Sequence, residues 1–314
     1  MTRLFAETPQ RPRVLVLLAT YNGQPWIGPQ LDSLLGQSGV DLRIVVRDDG
    51  SADETRGEIE LRMADGRISC VPASTRTGSA GQNFFELIAL NDAAEADFVA
   101  FCDQDDLWDH DKLLRACTAL TDNRFAGYSS AVAAMWSDGR RRVLRQCPRK
   151  TGGDFLFEGA GQGCTFVLRT SFYQRVRAFL LEHRPLCRTL HYHDWAIYAL
   201  ARTWDLDWCF DPHPTLRYRQ HQGNDTGARK SLQGVARRIA LISNGWYARQ
   251  IAAVAALCSA ARPGAGVALQ WSELASARAS VTRRLRIALF CLQKGRRRAA
   301  DRAILVAAAL AGRI

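Results

Sequence analysis

The chain has 314 residues, of which 47% are hydrophobic and 23% are charged. This composition excludes disordered, fibrous and low-complexity proteins, and it provides enough apolar residues for a sizeable core. The net charge of +11 is unevenly distributed, because residues 230–314 contain 15 Lys or Arg against 2 Asp or Glu, whereas residues 1–229 carry a net charge of −2. The charge therefore divides the chain into a nearly neutral first part and a basic tail.

The first part alternates short apolar runs with amphipathic segments. Runs bounded by Gly, Asp, Asn or Pro predict buried strands at Val14–Ala19, Leu42–Arg47, Ile68–Pro72 and Phe98–Cys102. Between them, apolar residues three or four positions apart predict helices. Alternating strands and helices predict an α/β fold with a mainly parallel sheet.

The pattern is looser in the remainder of the chain. Further strands are predicted at Ser129–Met135, Thr165–Leu168, Asp207–Phe210 and Leu216–Arg219. Helices are predicted at Ser171–Glu182 and Trp195–Arg202, and in the tail at Ser231–Cys258, Trp271–Cys291 and Arg296–Leu310. The tail is therefore expected to be a helical extension.

The cysteines and the apolar segments indicate a cellular location. The nine cysteines occur singly, with no C-x-x-C pair, and the N-terminus lacks a secretory signal. Reduced thiols in the cytoplasm are therefore expected. The longest uncharged apolar stretch, Ile251 to Ala261, is too short to span a bilayer, so no transmembrane helix is expected.

Acidic residues follow two of the predicted strands. Because ligands of open α/β sheets bind at the carboxyl ends of strands, Asp48 and the run Asp103 to Asp106 are candidate site residues. Asp103 and Asp105 lie two apart and face the same way in extended backbone, and their oxygens suit Mg²⁺ or Mn²⁺ beside a diphosphate. An alternative is that Asp106 or Asp109 caps the helix that runs on to Leu120.

Five motifs in a fixed order resemble family 2 glycosyltransferases, and most of all the rhamnosyltransferase-like branch. They are Ala19-Thr20-Tyr21-Asn22, Val46-Arg47-Asp48-Asp49-Gly50-Ser51, Phe101-Cys102-Asp103-Gln104-Asp105-Asp106-Leu107-Trp108, His193-Asp194-Trp195 and Tyr218-Arg219-Gln220-His221-Gln222-Gly223-Asn224. The likeness covers residues 11–229, and the helical tail also resembles that branch. It implies a GT-A domain over residues 11–229 and a basic helical extension over residues 230–314.

The resemblance also implies how a nucleotide-diphosphate sugar is bound. Thr20, Tyr21 and Asp48 are expected to hold the base and ribose, while Asp103 and Asp105 flank the sugar diphosphate and its Mg²⁺ or Mn²⁺. His221 matches a position where a histidine completes the metal site, although a solvated loop histidine is an alternative. Asn83 is expected at the donor site, or else as the N-cap of the following helix.

The same resemblance implies inversion at the anomeric carbon, with Asp194 as the base that deprotonates the acceptor hydroxyl. Asp194 lies at a predicted helix start, so an ordinary N-cap is the alternative, and the helix N-terminus is expected to lower its pKa. The neighbouring pair His191 and His193 lacks further ligands at zinc spacing, so a zinc site is not expected.

The tail clusters basic residues next to apolar ones. We expect this cluster to bind an anionic membrane surface, with the protein cytoplasmic and peripheral on the inner face of the cell membrane. The alternative is a packed helical layer with a solvated basic face. The cluster comprises Arg283, Arg284, Arg286, Lys294, Arg296, Arg297 and Arg298.

Three functions remain open at this point. The first is a metal-dependent transferase that moves a sugar, rhamnose by branch resemblance or another hexose such as galactose, to a glycan or lipid-linked glycan in surface polysaccharide synthesis. The second is a non-catalytic nucleotide-sugar binder or scaffold. The third is nucleic-acid binding through the tail, which is disfavoured because few aromatic residues are interleaved with its arginines. We expect no nucleic-acid partner.

Overall fold

The computed structural model describes residues 10–73, 75–221, 240–264 and 266–314. Nine strands of these residues form one sheet. The strands are β1 (Arg13–Thr20), β2 (Asp41–Asp48), β3 (Ile68–Cys70), β4 (Phe98–Asp103), β5 (Leu107–Trp108), β6 (Phe125–Trp136), β7 (Arg141–Leu144), β8 (Val167–Arg169) and β9 (Asp207–Gln220).

Helices cover both faces of the sheet. In the first part of the chain they are α1 (Gln24–Leu35), α2 (Thr55–Met63), α3 (Ala80–Leu90), α4 (Lys112–Thr121), α5 (Thr170–Glu182), α6 (Arg184–Cys187) and α7 (His193–Thr203). In the tail they are α8 (Trp246–Ala261), α9 (Gly266–Ser276), α10 (Val281–Lys294) and α11 (Ala299–Leu310). Two short 3₁₀ turns, Asp154–Leu156 and Gly163–Thr165, precede β8.

The strand order β3-β2-β1-β4-β8-β6-β9-β5 joins two kinds of sheet, with β7 paired to β6. The first four strands in this order are parallel to one another. The other pairings are antiparallel except that of β6 with β9. The predicted α/β class is therefore confirmed, and its parallel part is the half of the sheet built from the βα units at the start of the chain.

Strand β1 shows how the sequence separates the two faces of this sheet. Because side chains alternate along a strand, Leu17 and Ala19 enter one hydrophobic core, while Val16 and Leu18 enter the other. Because both faces of β1 are buried in apolar cores, its sequence is an almost continuous apolar run. Its carboxyl end, with those of β2 and β4, reaches one edge of the sheet.

Strands β5 and β7 were not predicted from the sequence, and two predicted strands form one in the structure. The two-residue β5 is too short to carry a periodic pattern, and β7 offers only Val143 and Leu144 as apolar residues. Strand β9 is continuous where two strands were predicted. Its two prolines fit because the register with β6 shifts between Ser130 and Ala131, which relieves the need for ladder hydrogen bonds there.

The tail helices are interrupted where longer helices were predicted. Gly245 has a φ of +74° and separates α8 from the residues before it; the start of that predicted helix, residues 231–239, lies outside the described residues. Ser280 begins α10, because its Oγ accepts a hydrogen bond from the Arg283 amide at 3.1 Å. The predicted Trp271–Cys291 helix is therefore two helices.

The tail helices share a hydrophobic core with the first part of the chain. Trp271 of α9 packs edge to face on Phe157, with ring centroids 5.2 Å apart, and also contacts Phe290 of α10. The predicted domain boundary at residues 229 and 230 lies outside the described residues. Among the helices of the described part, none combines the length and the apolar character needed to cross a bilayer.

Candidate functional site

Gln104 joins the loop that follows β1 to the loop that follows β4. Its Oε1 accepts hydrogen bonds from the Thr20 hydroxyl at 2.7 Å and from the Tyr21 amide at 2.8 Å. Its Nε2 donates to the Tyr21 carbonyl at 3.1 Å. Gly23 lies so close to the Gln104 side chain that a Cβ at this position would collide with it. Thr20 and Tyr21 are therefore held against the acidic loop.

A second set of hydrogen bonds ties the β1 loop to the loop that follows β2. Asn22 adopts a φ of +46°, and its Oδ1 accepts a hydrogen bond from the Ala52 amide at 2.9 Å. The Asn22 amide donates to the Ser51 hydroxyl at 2.8 Å. Asparagine tolerates this left-handed conformation better than most residues. Three strand-end loops thus form one connected rim.

Asp48 lies at this rim beside a cavity of about 310 Å³. Its carboxylate accepts hydrogen bonds from the amide and hydroxyl of Ser51 and from Arg56 Nε, the last at 2.8 Å. Cys70 and Val71 line the other side of the cavity. A pocket between an acidic strand end and apolar walls has the chemistry expected for a base and a ribose.

Asn83 is buried below the rim in a network with Arg47 and Asp49. Arg47 Nη1 donates to Asn83 Oδ1 at 2.7 Å and to Asp49 Oδ1 at 3.0 Å. The N-cap alternative for Asn83 is wrong, because Ser79 caps α3 and accepts from the Gln82 amide. Contact of Asn83 with a donor stays a prediction, since its side chain is 2% exposed and is already hydrogen-bonded.

Arg47 and Asp49 hold the segment that follows β3. Arg47 Nη2 donates to the Thr75 carbonyl at 2.9 Å, and the amides of Thr77 and Gly78 donate to Asp49 at 2.7 and 2.8 Å. Burial raises the pKa of Asp49, but these hydrogen bonds outweigh it, so the pKa is lowered overall and the buried pair is ionic. The role of Arg47 in this chain is therefore to hold neighbouring segments in place through its hydrogen bonds.

The same segment places Arg76 against the site. The guanidinium of Arg76 lies 4.0 Å from the centroid of the Tyr21 ring, which is 38% exposed. A cation and an aromatic ring thus meet at the open side of the rim. Arg76 could not be identified as a site residue from the sequence, because an isolated arginine in a loop carries no periodic or motif signal.

Asp105 and His221 meet at the predicted metal position. His221 Nε2 lies 2.7 Å from Asp105 Oδ2, although the residues are 116 positions apart. The imidazole stacks on the Trp26 indole, with ring centroids 4.1 Å apart and planes 12° apart. His221 is therefore fixed by two neighbours, which disfavours the alternative of a solvated loop histidine.

Asp103 belongs to a second group of donor atoms beside this pair. One ligand atom each from Asp103, Asp106 and Cys164 lies within 4.8 Å of the others. Asp106 is fully buried, and its carboxyl group interacts with the Cys164 thiol and the Arg219 backbone. Burial, followed by the charges of Asp105 and Asp103, raises its pKa strongly. A cation next to these acids would compensate this unfavourable environment, so the residues fit Mg²⁺ or Mn²⁺.

The predicted capping role of Asp106 or Asp109 is wrong. Helix α4 begins at Lys112, and its N-cap residue is Asp111, without a side-chain hydrogen bond. Lys112 is buried instead, with Nζ 3.5 Å from the Trp108 ring centroid, and burial lowers its pKa to about 8. The buried amino group of Lys112 therefore interacts electrostatically with the buried carboxyl group of Asp106.

Asp194 lies in the first turn of α7, where the N-cap residue is Tyr192. The predicted N-cap alternative for Asp194 is therefore wrong. Burial raises its pKa to about 6, and the backbone hydrogen bonds from Trp195 and Gly163 only partly oppose this. The expected lowering by the helix N-terminus is also wrong, because desolvation is the larger effect. A carboxylate with this pKa is ionised near neutral pH and still accepts a proton.

Close packing positions Asp194. A Cβ added to Gly163 would lie 2.8 Å from His193 Nε2 and 3.2 Å from the Asp194 Cβ. His193 packs on Phe84 with centroids 3.9 Å apart, and burial lowers its pKa to about 3, so it is neutral. The group of potential metal ligands found among the described residues does not contain His191 or His193.

One 3₁₀ turn connects the acidic loop to Asp194. In Gly163–Thr165, Gly163 contacts Asp194 and the next residue, Cys164, belongs to the group with Asp103 and Asp106. Asp103, one of the predicted metal ligands, and Asp194, the predicted base, therefore both lie next to this turn. The sequence could not indicate this, because the residues come from β4, the turn and α7.

Two arginines of the basic tail form ion pairs inside the protein. Arg297 is 3% exposed and lies 3.1 Å from Asp154 Oδ2, while its amide donates to Glu158 Oε1 at 2.5 Å. Arg296 contacts Glu158 at 3.2 Å. Arg202 completes the cluster by pairing with Asp154 at 2.7 Å. The expectation that Arg296 and Arg297 are free to bind lipid is therefore corrected.

The mixed sheet, with acidic residues at the end of β4, has the GT-A fold of glycosyltransferases. Residues 15–179 match the model of Glycosyl transferase family 2, and the chain belongs to this family. It is 36% identical over 241 residues to the dTDP-rhamnosyl transferase RfbG of Shigella flexneri, covering 76% of this chain and 83% of that protein. The predicted rhamnosyltransferase-like branch is thus confirmed.

A second relative and two solved structures extend the comparison. The UDP-Glc:alpha-D-GlcNAc-diphosphoundecaprenol beta-1,3-glucosyltransferase WfgD of Escherichia coli is 30% identical over 166 residues, covering 49% of this chain and 59% of that protein. Staphylococcus aureus TarS 1–349 in complex with UDP has a TM-score of 0.54 at 16% identity, covering 88% of this chain and 70% of that chain. The mannosyltransferase PcManGT of Pyrobaculum calidifontis was solved with GDP-Man and Mn²⁺. Its TM-score is 0.50 at 18% identity, and the match covers 96% of this chain and 87% of that chain. The two structures show a shared fold.

Proposed function

We propose that this protein is an inverting, metal-dependent rhamnosyltransferase that transfers rhamnose from a nucleotide-diphosphate donor, dTDP-rhamnose, to a hydroxyl of a lipid-linked glycan. The observation that carries this proposal is the contact between Asp105 and His221 next to Asp103, with Asp103 and Asp194 both beside one turn. The identity to a dTDP-rhamnosyl transferase supports the choice of donor.

The chemistry follows from the positions of the acidic groups. Direct displacement at the anomeric carbon needs a base for the acceptor hydroxyl, and Asp194 has a pKa of about 6 that suits this role. Asp48 lines the pocket proposed for the base and ribose, while Thr20 and Tyr21 lie on the adjoining strand-end loop, where Gln104 holds them. Asp103, Asp105 and His221 would hold Mg²⁺ or Mn²⁺, which would neutralise charge on the departing diphosphate.

The acceptor and the location belong to the same proposal. The second relative acts, by its name, on a diphosphoundecaprenol-linked sugar, which supports a lipid-linked acceptor. A protein that meets such an acceptor works at a membrane surface, so we place it on the cytoplasmic face of the cell membrane, within surface polysaccharide synthesis. The net positive charge of the tail is consistent with anionic lipids there.

The test is donor consumption by the purified protein with a panel of nucleotide sugars and with Mg²⁺ or Mn²⁺. We expect dTDP-rhamnose to be consumed in a metal-dependent reaction and the Asp194→Asn variant to bind it without turnover. Consumption of another donor alone would reject the choice of rhamnose. Binding without turnover of any donor, with an acceptor extract present, would instead favour a non-catalytic binder.

A further inference from the structure

Helix α10 exposes a stripe of apolar side chains to solvent. Val281 is 72% exposed, and the leucines at positions 285, 289 and 292 are 55%, 53% and 57% exposed. These four residues, the apolar stripe, recur at helical spacing and lie on one side of α10, because each residue advances by about 100° around the axis. The opposite side is buried through Ile287, Phe290 and Cys291.

The helix that packs against α10 also exposes two large apolar side chains. Helix α11 packs against α10 and exposes Ile304 and Leu310, which are 54% and 46% accessible. A row of exposed large apolar side chains on one helix face, as on α10, marks a contact site for a partner or a membrane. Contact of these apolar side chains with water is unfavourable, so we expect another surface to cover them.

Arginines surround the apolar stripe. At about 100° per residue, Arg284 and Arg286 lie on opposite flanks of the stripe, and both are exposed. Arg278, Arg298 and Arg313 are also exposed nearby in sequence. In residues 266–314 the acidic residues are Glu273 and Asp301, against ten Lys or Arg. The occupant of this surface is therefore expected to be apolar at its centre and anionic at its edges.

We propose that the apolar stripe of α10 docks the protein on an anionic lipid bilayer, with α10 parallel to the membrane and its leucines inserted at the boundary of headgroups and acyl chains. A helix with apolar residues on one face and basic residues beside them has the character of an interfacial membrane helix. A symmetric dimer through the same face is less favourable, because it would bring the flanking arginines of two copies together. The proposal rests on the proposed function in one respect, the need to reach a lipid-linked acceptor.

The docking surface is rigidly connected to the acceptor side of the site. The turn between α10 and α11 is held by the Arg297 pairs with Asp154 and Glu158, and by the Thr151 hydroxyl, which donates to the Gly295 carbonyl at 2.7 Å. Gly159, in the same segment as Glu158, lies against the backbone of Trp195, next to Asp194. Docking through α10 would thereby fix the orientation of Asp194 relative to the membrane.

The main test is sedimentation with vesicles of phosphatidylglycerol and phosphatidylcholine. In the test variant Leu285, Leu289 and Leu292 are replaced by Gln; all three are exposed, so folding should be retained. The matched control carries Leu61→Gln and Leu90→Gln, which are 72% and 52% exposed on α2 and α3. We expect the test variant to bind at least about tenfold more weakly and the control to bind like the wild type. Equal binding of all three proteins would overturn the proposal.

A second variant separates charge from insertion. Replacing Arg284 and Arg286 by Gln should weaken binding to phosphatidylglycerol vesicles and reduce its sensitivity to salt, because each arginine near the surface contributes an electrostatic attraction that salt screens. Hydrogen exchange measured with vesicles should show protection of α10. Protection elsewhere, with α10 unchanged, would overturn the proposal, as would a wild-type dimer that the leucine variant converts to a monomer.

Donor binding keeps this test independent of the proposed function. Titration with dTDP and Mn²⁺ should give the same affinity for the wild type and the leucine variant, since the apolar stripe is not part of the donor pocket. Loss of vesicle binding with unchanged dTDP affinity supports the docking proposal. Absence of rhamnose transfer by the wild type would reject the proposed function and leave the vesicle result valid.

Discussion

His221 Nε2 lies 2.7 Å from Asp105 Oδ2, and the imidazole stacks on Trp26. This contact joins the end of β9 to the loop after β4 and to the start of α1. A carboxylate and an imidazole, the two predicted metal ligands, are thereby brought together from distant parts of the chain. The geometry explains why a histidine near the end of the domain belongs to the same site as the acidic motif.

The first prediction concerns this contact. Replacing His221 by Asn should raise the Mn²⁺ concentration for half-maximal donor turnover by about 10- to 100-fold, because one metal ligand is weakened. Asp105→Asn should have at least as large an effect. The matched control is His110→Asn, which changes an exposed histidine and should leave the metal requirement unchanged. Full wild-type activity after EDTA treatment would contradict the prediction.

The second prediction concerns Asp194 as the base. Asp194→Asn should lower the transfer rate by ~10²- to 10⁴-fold while the affinity for dTDP is retained, because the amide keeps the shape of the side chain but not its basicity. In the wild type, kcat/KM should fall as the pH drops below about 6, where Asp194 becomes protonated. Rapid-mixing or steady-state assays between pH 5 and 8 measure both effects. Near-normal turnover in the variant would disprove this role.

The third prediction concerns the effect of the Asp194 charge on the free energy of unfolding. Its folded-state pKa of about 6 is above the ordinary value of about 3.9, so the folded state binds the proton more tightly and loses stability as the pH rises through this range. Asp194→Asn should therefore be more stable than the wild type at pH 8, by up to about 3 kcal/mol, and nearly as stable as the wild type near pH 4.

Urea unfolding at the two pH values measures this difference. Asp41→Asn, at an exposed position, is the control and should show the same stability difference from the wild type at both pH values. A less stable Asp194→Asn at pH 8 would mean that the carboxylate stabilises the fold, contrary to the burial of its charge.

The fourth prediction separates two adjacent arginines in the tail. Arg297→Met should destabilise the protein by about 3 kcal/mol, because it leaves the buried carboxylates of Asp154 and Glu158 with fewer partners. Arg298→Gln changes an exposed side chain and should alter stability by less than about 0.5 kcal/mol. Thermal unfolding of both variants decides the point. Equal stability of the two variants would show that the ion pairs of Arg297 with Asp154 and Glu158 contribute little to the free energy of unfolding.

The fifth prediction places the nucleotide in the cavity beside Asp48. Cys70 is exposed and lines this cavity, whereas the half-buried Cys147 does not. With dTDP and Mn²⁺ bound, alkylation of Cys70 should slow markedly while that of Cys147 is unchanged. Peptide mapping by mass spectrometry follows both thiols in one sample. An unchanged alkylation rate at Cys70 would mean that the nucleotide does not bind in this cavity.

Local sequence patterns were sufficient for the parallel half of the fold. The apolar runs at β1, β2 and β4 predict buried strands because strands of a covered parallel sheet are apolar on both faces. The helices α5 and α7 follow from apolar residues at helical spacing. Interruptions such as Gly245 and Ser280 were missed, because surrounding residues kept the apolar spacing while one backbone conformation or one cap ended the helix.

The motifs likewise indicated the acids of the site and their order, but not their environment. Whether Asp194 has a raised or a lowered pKa depends on the desolvation that α7, Gly163 and His193 create together. Whether Arg297 binds lipid or an internal carboxylate depends on Asp154 and Glu158, which are more than 130 residues away. The sequence by itself determined the residue types and strand-end positions, since these follow from local periodicity. Only the tertiary structure decided burial, pairing and exposure, because these are set by contacts between segments that are distant along the chain.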